Sequence, residues 1–169
     1  PDARSGNCNG RTQGGSNAEI VIADAFVKGL PNIDYHLALE AMLKDATIPP
    51  GGNEEAEGRG GLIPYLELGY IPYGIPRAGN RTIEYSYCDY AIALVAKGLG
   101  KTDLYQQYLK QSSNWKNLWR ADYEHAGVKG FILPRDKEGN WLDKIPFGNS
   151  HIQKPTFTYT PVTFAGPWY

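Results

Sequence analysis

NRTIEYSYCDYAIALVAKGLG, the stretch from Asn80 to Gly100, predicts the helix around which the rest of the chain is arranged. Thr82 suits an N-cap, and Gly98 or Gly100 can end a helix in the left-handed conformation, so we expect a helix from about 83 to 98. Its apolar residues cover nearly the whole circumference when successive residues are placed about 100° apart. We therefore expect this helix to be buried on all sides.

Two carboxylates, Glu84 and Asp89, lie within this predicted buried helix. An unpaired buried carboxylate costs free energy or takes up a proton, so each of them needs a partner or a function. Their spacing places the two side chains about 140° apart around the helix. We therefore expect that Glu84 and Asp89 do not both point into one pocket.

A second buried helix is predicted from about 17 to 28, where Ser16 and Glu19 have the spacing of a capping box. Asp24 lies inside the apolar run of this helix, which reads IVIADAFV. A carboxylate in that place is either neutralised by a neighbouring helix end or an arginine, or it is a ligand for substrate hydroxyls. The residues alone leave both interpretations of Asp24 open.

Two further helices are predicted to face water on one side. One follows the cap Asp34 and runs to about 45, and the other follows the cap Thr102 and runs to about 119. Buried and exposed helices then alternate, as in the helical hairpins of an α/α toroid. Farther on, apolar residues on both sides of Lys137-Glu138-Gly139 predict a β-hairpin. The predicted fold class is therefore mainly α with a small β-hairpin.

The long connection from 47 to 81 contains too many large apolar residues to be disordered. We expect it to pack across one end of the helices. Glu57 and Arg59 lie on glycine-rich backbone in this connection. They form a surface ion pair, or else Arg59 is a clamp on a substrate.

Composition favours some partners and argues against others. The formal charge of −1 gives no sign of a nucleic-acid partner, and no apolar run approaches the ~20 residues that span a membrane. Twelve Tyr, four Trp and five Phe suit sugar binding, although a tyrosine-rich core accounts for them equally well. The glycosylation sequon at Asn80 favours secretion. The sequence does not decide whether Cys8 and Cys88 form a disulfide.

The last residues of the chain, Pro167-Trp168-Tyr169, are apolar and would be exposed to water on a free domain. We therefore expect residues 1–169 to be a segment of one larger domain.

Five motifs, in order along the chain, resemble the catalytic domain of glycoside hydrolase family 92. They are Gly14–Asn17 with Ala23–Gly29, Gly69–Pro72, Thr82–Tyr90, Ala96–Gly100 and Arg135–Trp141. The resemblance covers nearly all 169 residues. It implies a partial (α/α)6 toroid, and a parent enzyme that depends on calcium and removes terminal α-linked mannose with inversion.

The resemblance also implies roles for individual residues. The general acid, the general base and most calcium ligands would lie beyond this segment, which then contains no catalytic residue, and no metal ligand is assigned here. Asp24, Arg59, Glu84 and Asp89 would bind hydroxyls of the terminal mannose. The partners would be mannose-containing glycans and the remainder of the same polypeptide, in a secreted or extracytoplasmic protein. Cys88 stands where the family usually has a second acidic residue.

Two other functions stay open from the sequence. A non-catalytic carbohydrate-binding or interaction module would account for the aromatic residues, and a different α/α-toroid glycosidase would account for the helices. The mass of the source protein separates these hypotheses. A species near 18.7 kDa favours the module, whereas a protein several times larger favours the mannosidase.

Overall fold

The computed structural model describes residues 16–51, 58–75, 77–125 and 127–142. This part of the chain is mainly helical with one two-stranded sheet, which confirms the predicted fold class. Its elements are α1 (Ala18–Val27), α2 (Tyr35–Thr47), α3 (Leu62–Leu68), α4 (Ala78–Gly98), α5 (Thr102–Gln111), a 3₁₀ helix (Asn114–Leu118), β1 (Trp119–His125) and β2 (Val128–Ile132).

Helix α4 is the element that the other helices share, since α1, α2, α5 and the 3₁₀ helix all pack against it. The main apolar core lies between these helices and is built around the C-terminal half of α4. Its buried members are Ala23, Leu39, Met42, Ala46, Ala91, Ile92, Ala93, Val95, Ala96 and Tyr108. A smaller core at the N-terminal end of α4 contains Leu62, Tyr65, Ile71, Ala78 and Tyr85.

The start of α4 differs from the prediction, because the helix begins at Ala78 and Thr82 is not its cap. Arg77 occupies the N-cap position in the left-handed conformation, with φ 59°. The Thr82 hydroxyl instead donates to the carbonyl of Ala78 at 2.8 Å and accepts from the amide of Ile71 at 2.9 Å. It therefore ties the preceding connection to the first turn of the helix.

The expectation that α4 is buried on all sides is wrong for the described structure. Tyr87 and Tyr90, both on α4, are 55% and 43% exposed. The apolar run of α1 is also only partly covered, since Val21 and Val27 are exposed. Both helices are therefore buried on one side and carry apolar residues on the other.

The predicted cap of α2 is confirmed. Asp34 Oδ1 accepts from the amides of His36 and Leu37, each at 3.0 Å, and satisfies two of the donors that a helix start leaves unpaired. The helix ends at Thr47. Its buried residues are Leu39, Met42 and Ala46.

The connection from 47 to 81 packs against α4, as expected, in the part that the structure describes. Leu62, Tyr65, Tyr70 and Ile71 are buried. The short helix α3 in this connection was not predicted from the sequence. A glycine in the left-handed conformation lies at each of its ends, Gly61 at φ 72° and Gly69 at φ 74°.

The region after α5 was predicted incorrectly. The helix expected to reach about 119 ends at Gln111, and Trp119 begins strand β1, which pairs with β2 in antiparallel register. The hairpin predicted around Lys137-Glu138-Gly139 is only a single bridge between Arg135 and Trp141. No helix in the described ranges is long and apolar enough to cross a membrane.

Gly98→Ala is expected to destabilise the contact between α4 and α1. A Cβ at Gly98 would collide with the ring of Phe26, which itself packs edge-on against Tyr35 at 4.9 Å. Overpacking of this kind costs about 1–3 kcal/mol, more than the ~1 kcal/mol that Ala gains over Gly inside a helix. We expect a lower Tm in thermal denaturation of the full-length protein.

Gly51→Ala is the matched control, because nothing lies within 4 Å of a Cβ at that position. A Tm for Gly98→Ala equal to or above that of the control would contradict this packing. Restoration of the Tm by Phe26→Leu in the Gly98→Ala background would support it.

Candidate functional site

Arg59 is completely buried in the connection that precedes α3. Its Nη1 donates to Asp89 Oδ1 at 2.7 Å, and its Nη2 donates to Glu19 Oε1 at 3.1 Å. Its Nε donates to the Ser16 hydroxyl at 3.2 Å. One guanidinium thus joins the start of α1, the middle of α4 and the connection between α2 and α3.

Tyrosine side chains complete this arrangement. Tyr65 donates from its hydroxyl to Asp89 Oδ2 at 2.7 Å, so both oxygens of that carboxylate have a donor. The Arg59 guanidinium lies over the ring of Tyr85, with its carbon 5.2 Å from the ring centroid. We call Ser16, Glu19, Arg59, Tyr65 and Asp89 the Arg59 cluster.

Opposite charges inside the Arg59 cluster offset the free-energy cost of removing one another from water. Burial by itself lowers the pKa of Arg59, but Asp89 and Glu19 outweigh that effect and hold this pKa well above its usual value. Burial raises the pKa of Asp89, while the ion pair with Arg59 and the hydrogen bond from Tyr65 oppose the rise. An ion pair this deeply buried needs such additional hydrogen bonds to offset the cost of removing its charges from water.

Asp45, on α2, extends the cluster toward a third helix. It lies within hydrogen-bonding reach of Glu19 and Ser16. Burial and the neighbouring Glu19 carboxylate raise the pKa of Asp45 to about 6, although Arg59 acts in the opposite direction. A carboxyl group next to the cluster is therefore easier to protonate than an ordinary aspartate.

The structure brings together two of the four predicted site residues, Arg59 and Asp89. The prediction of a surface ion pair for Arg59 is wrong, because the side chain is enclosed, and Glu57 lies outside the described residues. The polar atoms of both side chains bind to each other and to protein neighbours. A direct contact of Arg59 or Asp89 with a sugar stays a prediction.

Asp24 is not buried, contrary to what its apolar neighbours in the sequence suggested. Its side chain is 59% exposed and bonds to Lys28 Nζ at 2.6 Å, one helical turn farther along α1. The interpretation of Asp24 as a buried, neutralised carboxylate is therefore wrong. Its role as a ligand for sugar hydroxyls stays a prediction.

Glu84 lies apart from the Arg59 cluster on α4, in agreement with the predicted angular separation from Asp89. It is half-buried, and burial raises its pKa. Its carboxylate has no hydrogen-bond or ion-pair partner within the described part of the chain. Tyr87, which follows Glu84 by about one helical turn, borders a cavity of about 330 Å³. The cavity is lined by Ile83, Ser86, Tyr87, Tyr90, Ser112 and Trp115.

Cys88 is a free thiol and is completely buried. Burial raises its pKa to about 12, so the thiol is neutral at ordinary pH. Cys8 lies outside the described residues. Over those residues there is also no group of three His, Cys, Asp or Glu side chains arranged to hold a metal ion.

Most partners of Arg59 were not predicted from the sequence. Ser16 and Glu19 were assigned to a capping box, but the Ser16 hydroxyl donates to Glu19 Oε1 at 2.7 Å and Asn17 occupies the N-cap position. No sequence pattern indicated that Tyr65 or Asp45 belongs to this site, because each of them contacts residues that lie far from it in the chain. The one sequence feature that could have indicated this site is Arg59 itself. It is an arginine on glycine-rich backbone, in a connection that has to pack against apolar helices.

Comparison with known proteins identifies the family. A model of the glycosyl hydrolase family 92 catalytic domain matches residues 1–162. The chain belongs to glycosyl hydrolase family 92. A secreted glycosidase of Arthroderma benhamiae, itself uncharacterised, is 44% identical over 168 residues, which cover 90% of this chain and 21% of that protein.

Solved structures of family 92 enzymes share the fold. An inverting mannosidase from Bacteroides thetaiotaomicron matches with a TM-score of 0.70 and 33% identity over 82% of this chain and 18% of its own. An α-mannosidase from the same species, in complex with mannoimidazole, matches with a TM-score of 0.66 and 31% identity over 78% of this chain and 16% of its own. The chain therefore spans about a fifth of the length of these relatives.

Arg59→Met is expected to destabilise the family 92 domain strongly. The substitution keeps most of the side-chain volume but leaves Asp89 and Glu19 without their positive partner. Removing one partner of a buried ion pair costs about 3–5 kcal/mol. Chemical denaturation of the full-length protein measures the loss.

Lys28→Met is the matched control, because it breaks an exposed ion pair that is worth about 0–1 kcal/mol. Equal stability of the Arg59→Met and Lys28→Met variants would show that the buried pairs contribute little.

Proposed function

We propose that the full-length protein carrying this chain is an exo-acting α-mannosidase that removes terminal α-linked mannose with inversion. The observation that supports this most directly is the shared fold, at 33% and 31% identity, with two family 92 mannosidases. Inversion requires a carboxylic acid that protonates the leaving oxygen and a carboxylate that activates water, roughly 6.5–9.5 Å apart. Neither is assigned to this segment.

The geometry supports a structural role for the buried carboxylates. Asp89 and Glu19 are each only 1% exposed and bind Arg59, so they are poorly placed to exchange protons with a substrate. We propose that the Arg59 cluster fixes the relative positions of α1 and α4. The more accessible carboxylates, Asp24 and Glu84, are then the better candidates to contact hydroxyls of mannose-containing glycans.

Calcium is proposed as the cofactor of the full-length enzyme, with its ligands outside this segment. The described residues do not fit a calcium centre, because the buried carboxylates Glu19 and Asp89 already bind Arg59 and no group of three ligands is present among them. Calcium prefers roughly six to eight oxygen ligands, more than the described residues bring together at any one place. No step at this site is assigned to the ion.

The apolar faces of α1 and α4 support a further part of the proposal. Val21, Val27, Tyr87 and Tyr90 are exposed, and the chain spans about a fifth of its relatives. We propose that these faces contact the remainder of the same polypeptide. The similarity to a secreted glycosidase supports a secreted or extracytoplasmic location.

The experiment that tests the proposed function follows the first product formed by the purified full-length protein. With an α-mannoside substrate, an inverting enzyme releases β-mannose before the sugar mutarotates, and proton NMR distinguishes the two anomers. We expect β-mannose first, loss of activity on chelation and recovery with calcium. Early α-mannose would contradict inversion, and binding to mannosides without hydrolysis would instead support a carbohydrate-binding module.

Asp24→Asn is expected to reduce kcat/KM for mannosides more than tenfold while the Tm barely changes. Hydrogen bonds that sugar hydroxyls donate to a charged carboxylate contribute roughly 1.5–3 kcal/mol each, which accounts for the loss of activity. The Tm is expected to hold because Asp24 is exposed and its ion pair with Lys28 is on the surface. Enzyme kinetics and thermal denaturation on the same variant measure both effects.

Lys28→Gln separates the carboxylate from its ion pair, since it removes the partner and leaves Asp24 unchanged. If Asp24→Asn and Lys28→Gln have the same activity, close to that of the unsubstituted enzyme, then Asp24 does not bind substrate.

A further inference from the structure

Two arginine side chains stack on one indole ring, that of Trp141. The guanidinium carbon of Arg135 lies 4.3 Å from the ring centroid, and that of Arg120, on β1, lies 5.7 Å from it. Each arginine also contacts a second ring, since Arg135 lies over Tyr70 at 5.8 Å and Arg120 lies over Tyr123 at 5.7 Å. Aromatic contacts therefore hold the two cations close together, and we call Arg120, Arg135 and Trp141 the arginine–tryptophan stack.

Stacking orients the two guanidinium groups without using their hydrogen-bond donors. The N–H donors of a guanidinium lie in its plane, whereas an aromatic contact occupies its face. The Arg135 side chain donates one hydrogen bond, from Nη1 to the carbonyl of Asn117 at 3.0 Å. The Arg120 side chain donates none to the residues that the structure describes. Most donors of the stack therefore need an acceptor from elsewhere.

The carboxylates of this region bind mainly to other groups. These pairs are Glu124 with Lys129, Glu138 with Lys137 and Asp136 with Asn140. Asp122 comes nearest to the stack, with its Oδ1 3.4 Å from Arg120 Nε, but it is 77% exposed and this contact is not a hydrogen bond. Over the described ranges, Arg135 forms no ion pair with a carboxylate. One exposed aspartate is therefore the only negative charge beside two cations in this part of the structure.

Partial burial makes this shortage of negative charge costly. The side chain of Arg120 is only 23% exposed, and the Nε atoms of both arginines are buried without an acceptor among the described residues. Stacking on an aromatic ring offsets only part of the cost of withdrawing a guanidinium from water. The two cations also repel each other, because they lie within one Debye length, about 10 Å at ~0.1 M salt. An additional anion next to the stack would relieve both costs.

We propose that the arginine–tryptophan stack binds an aspartate or glutamate side chain from the remainder of the same polypeptide. The inference rests on the proposed function, since it takes the chain as part of a longer family 92 enzyme, and the chain spans about a fifth of its relatives. A planar carboxylate matches the in-plane donors of a guanidinium. A carboxylate of the polypeptide itself is present in every molecule, so it compensates the partly buried cations at all times, which a dissociating ligand does not.

Arg120→Lys tests this contact in the full-length protein. The substitution keeps the positive charge and introduces a primary amine. A water-soluble carbodiimide joins an amine to a carboxyl group at ion-pair distance, forming an amide while the carbodiimide takes up the released water as a urea. Peptide mapping by mass spectrometry then identifies the carboxylate that was joined. We expect a link from the introduced amine to an aspartate or glutamate beyond residue 169.

Val128→Lys is the matched control, because it places an amine at an exposed position at the other end of the two strands, where Val128 pairs with His125. We expect no link from this position to the same carboxylate. Links of the Arg120→Lys variant confined to residues 1–169, no link at all, or the same link from both variants would overturn the proposal. Should Arg120→Lys fail to fold, Arg135→Lys provides the same test on the same indole ring.

Inorganic phosphate distinguishes a resident carboxylate from a free anionic ligand. At constant ionic strength, we expect added phosphate to change the Tm of the unsubstituted protein and of Arg120→Gln equally, because the carboxylate already occupies the stack. A rise in Tm that Arg120→Gln abolishes would overturn the proposal in favour of an open anion site. Mannose release is assayed on the same preparations. A link without hydrolysis would contradict the proposed function alone, and hydrolysis without a link would contradict this contact alone.

Discussion

The ion pairs of Arg59 are the interaction on which the arrangement of the N-terminal helices depends. A guanidinium with no exposure to solvent has to find acceptors for its donors, because each unsatisfied charged group in a protein interior costs several kcal/mol. Asp89, Glu19 and Ser16 are those acceptors, and they come from α4, from α1 and from the residue before the N-cap of α1. Their positions around one planar group fix how α1 and α4 approach each other.

The same constraint explains the unusual connection before α3. Gly58 and Gly61 adopt left-handed conformations on either side of Arg59, and a Cβ at Gly61 would press against Ile71 and Ile75. Glycine is therefore required both by backbone conformation and by space at this turn. The connection can then pass close to α4 while Tyr65, one turn into α3, reaches Asp89.

Local sequence signals predicted the local features of this structure well. Asp34 caps α2 because its side chain bonds to amides two and three residues ahead, an interaction that is encoded within a few positions. Helices α1, α2 and α4 were predicted from the sequence for the same reason. Thr82 was misassigned because a distant amide, that of Ile71, competes for its hydroxyl and the helix starts one turn earlier.

The Arg59 cluster could not be predicted in the same way, because its partners lie 30 to 43 residues apart in the chain. An acidic residue in an apolar helix can be buried with a partner or can face water, and hydrophobicity alone does not distinguish these outcomes. Asp89 is of the first kind and Asp24 of the second. The difference lies in the surroundings, since Asp89 meets an arginine from another segment whereas Asp24 meets only the lysine of its own helix.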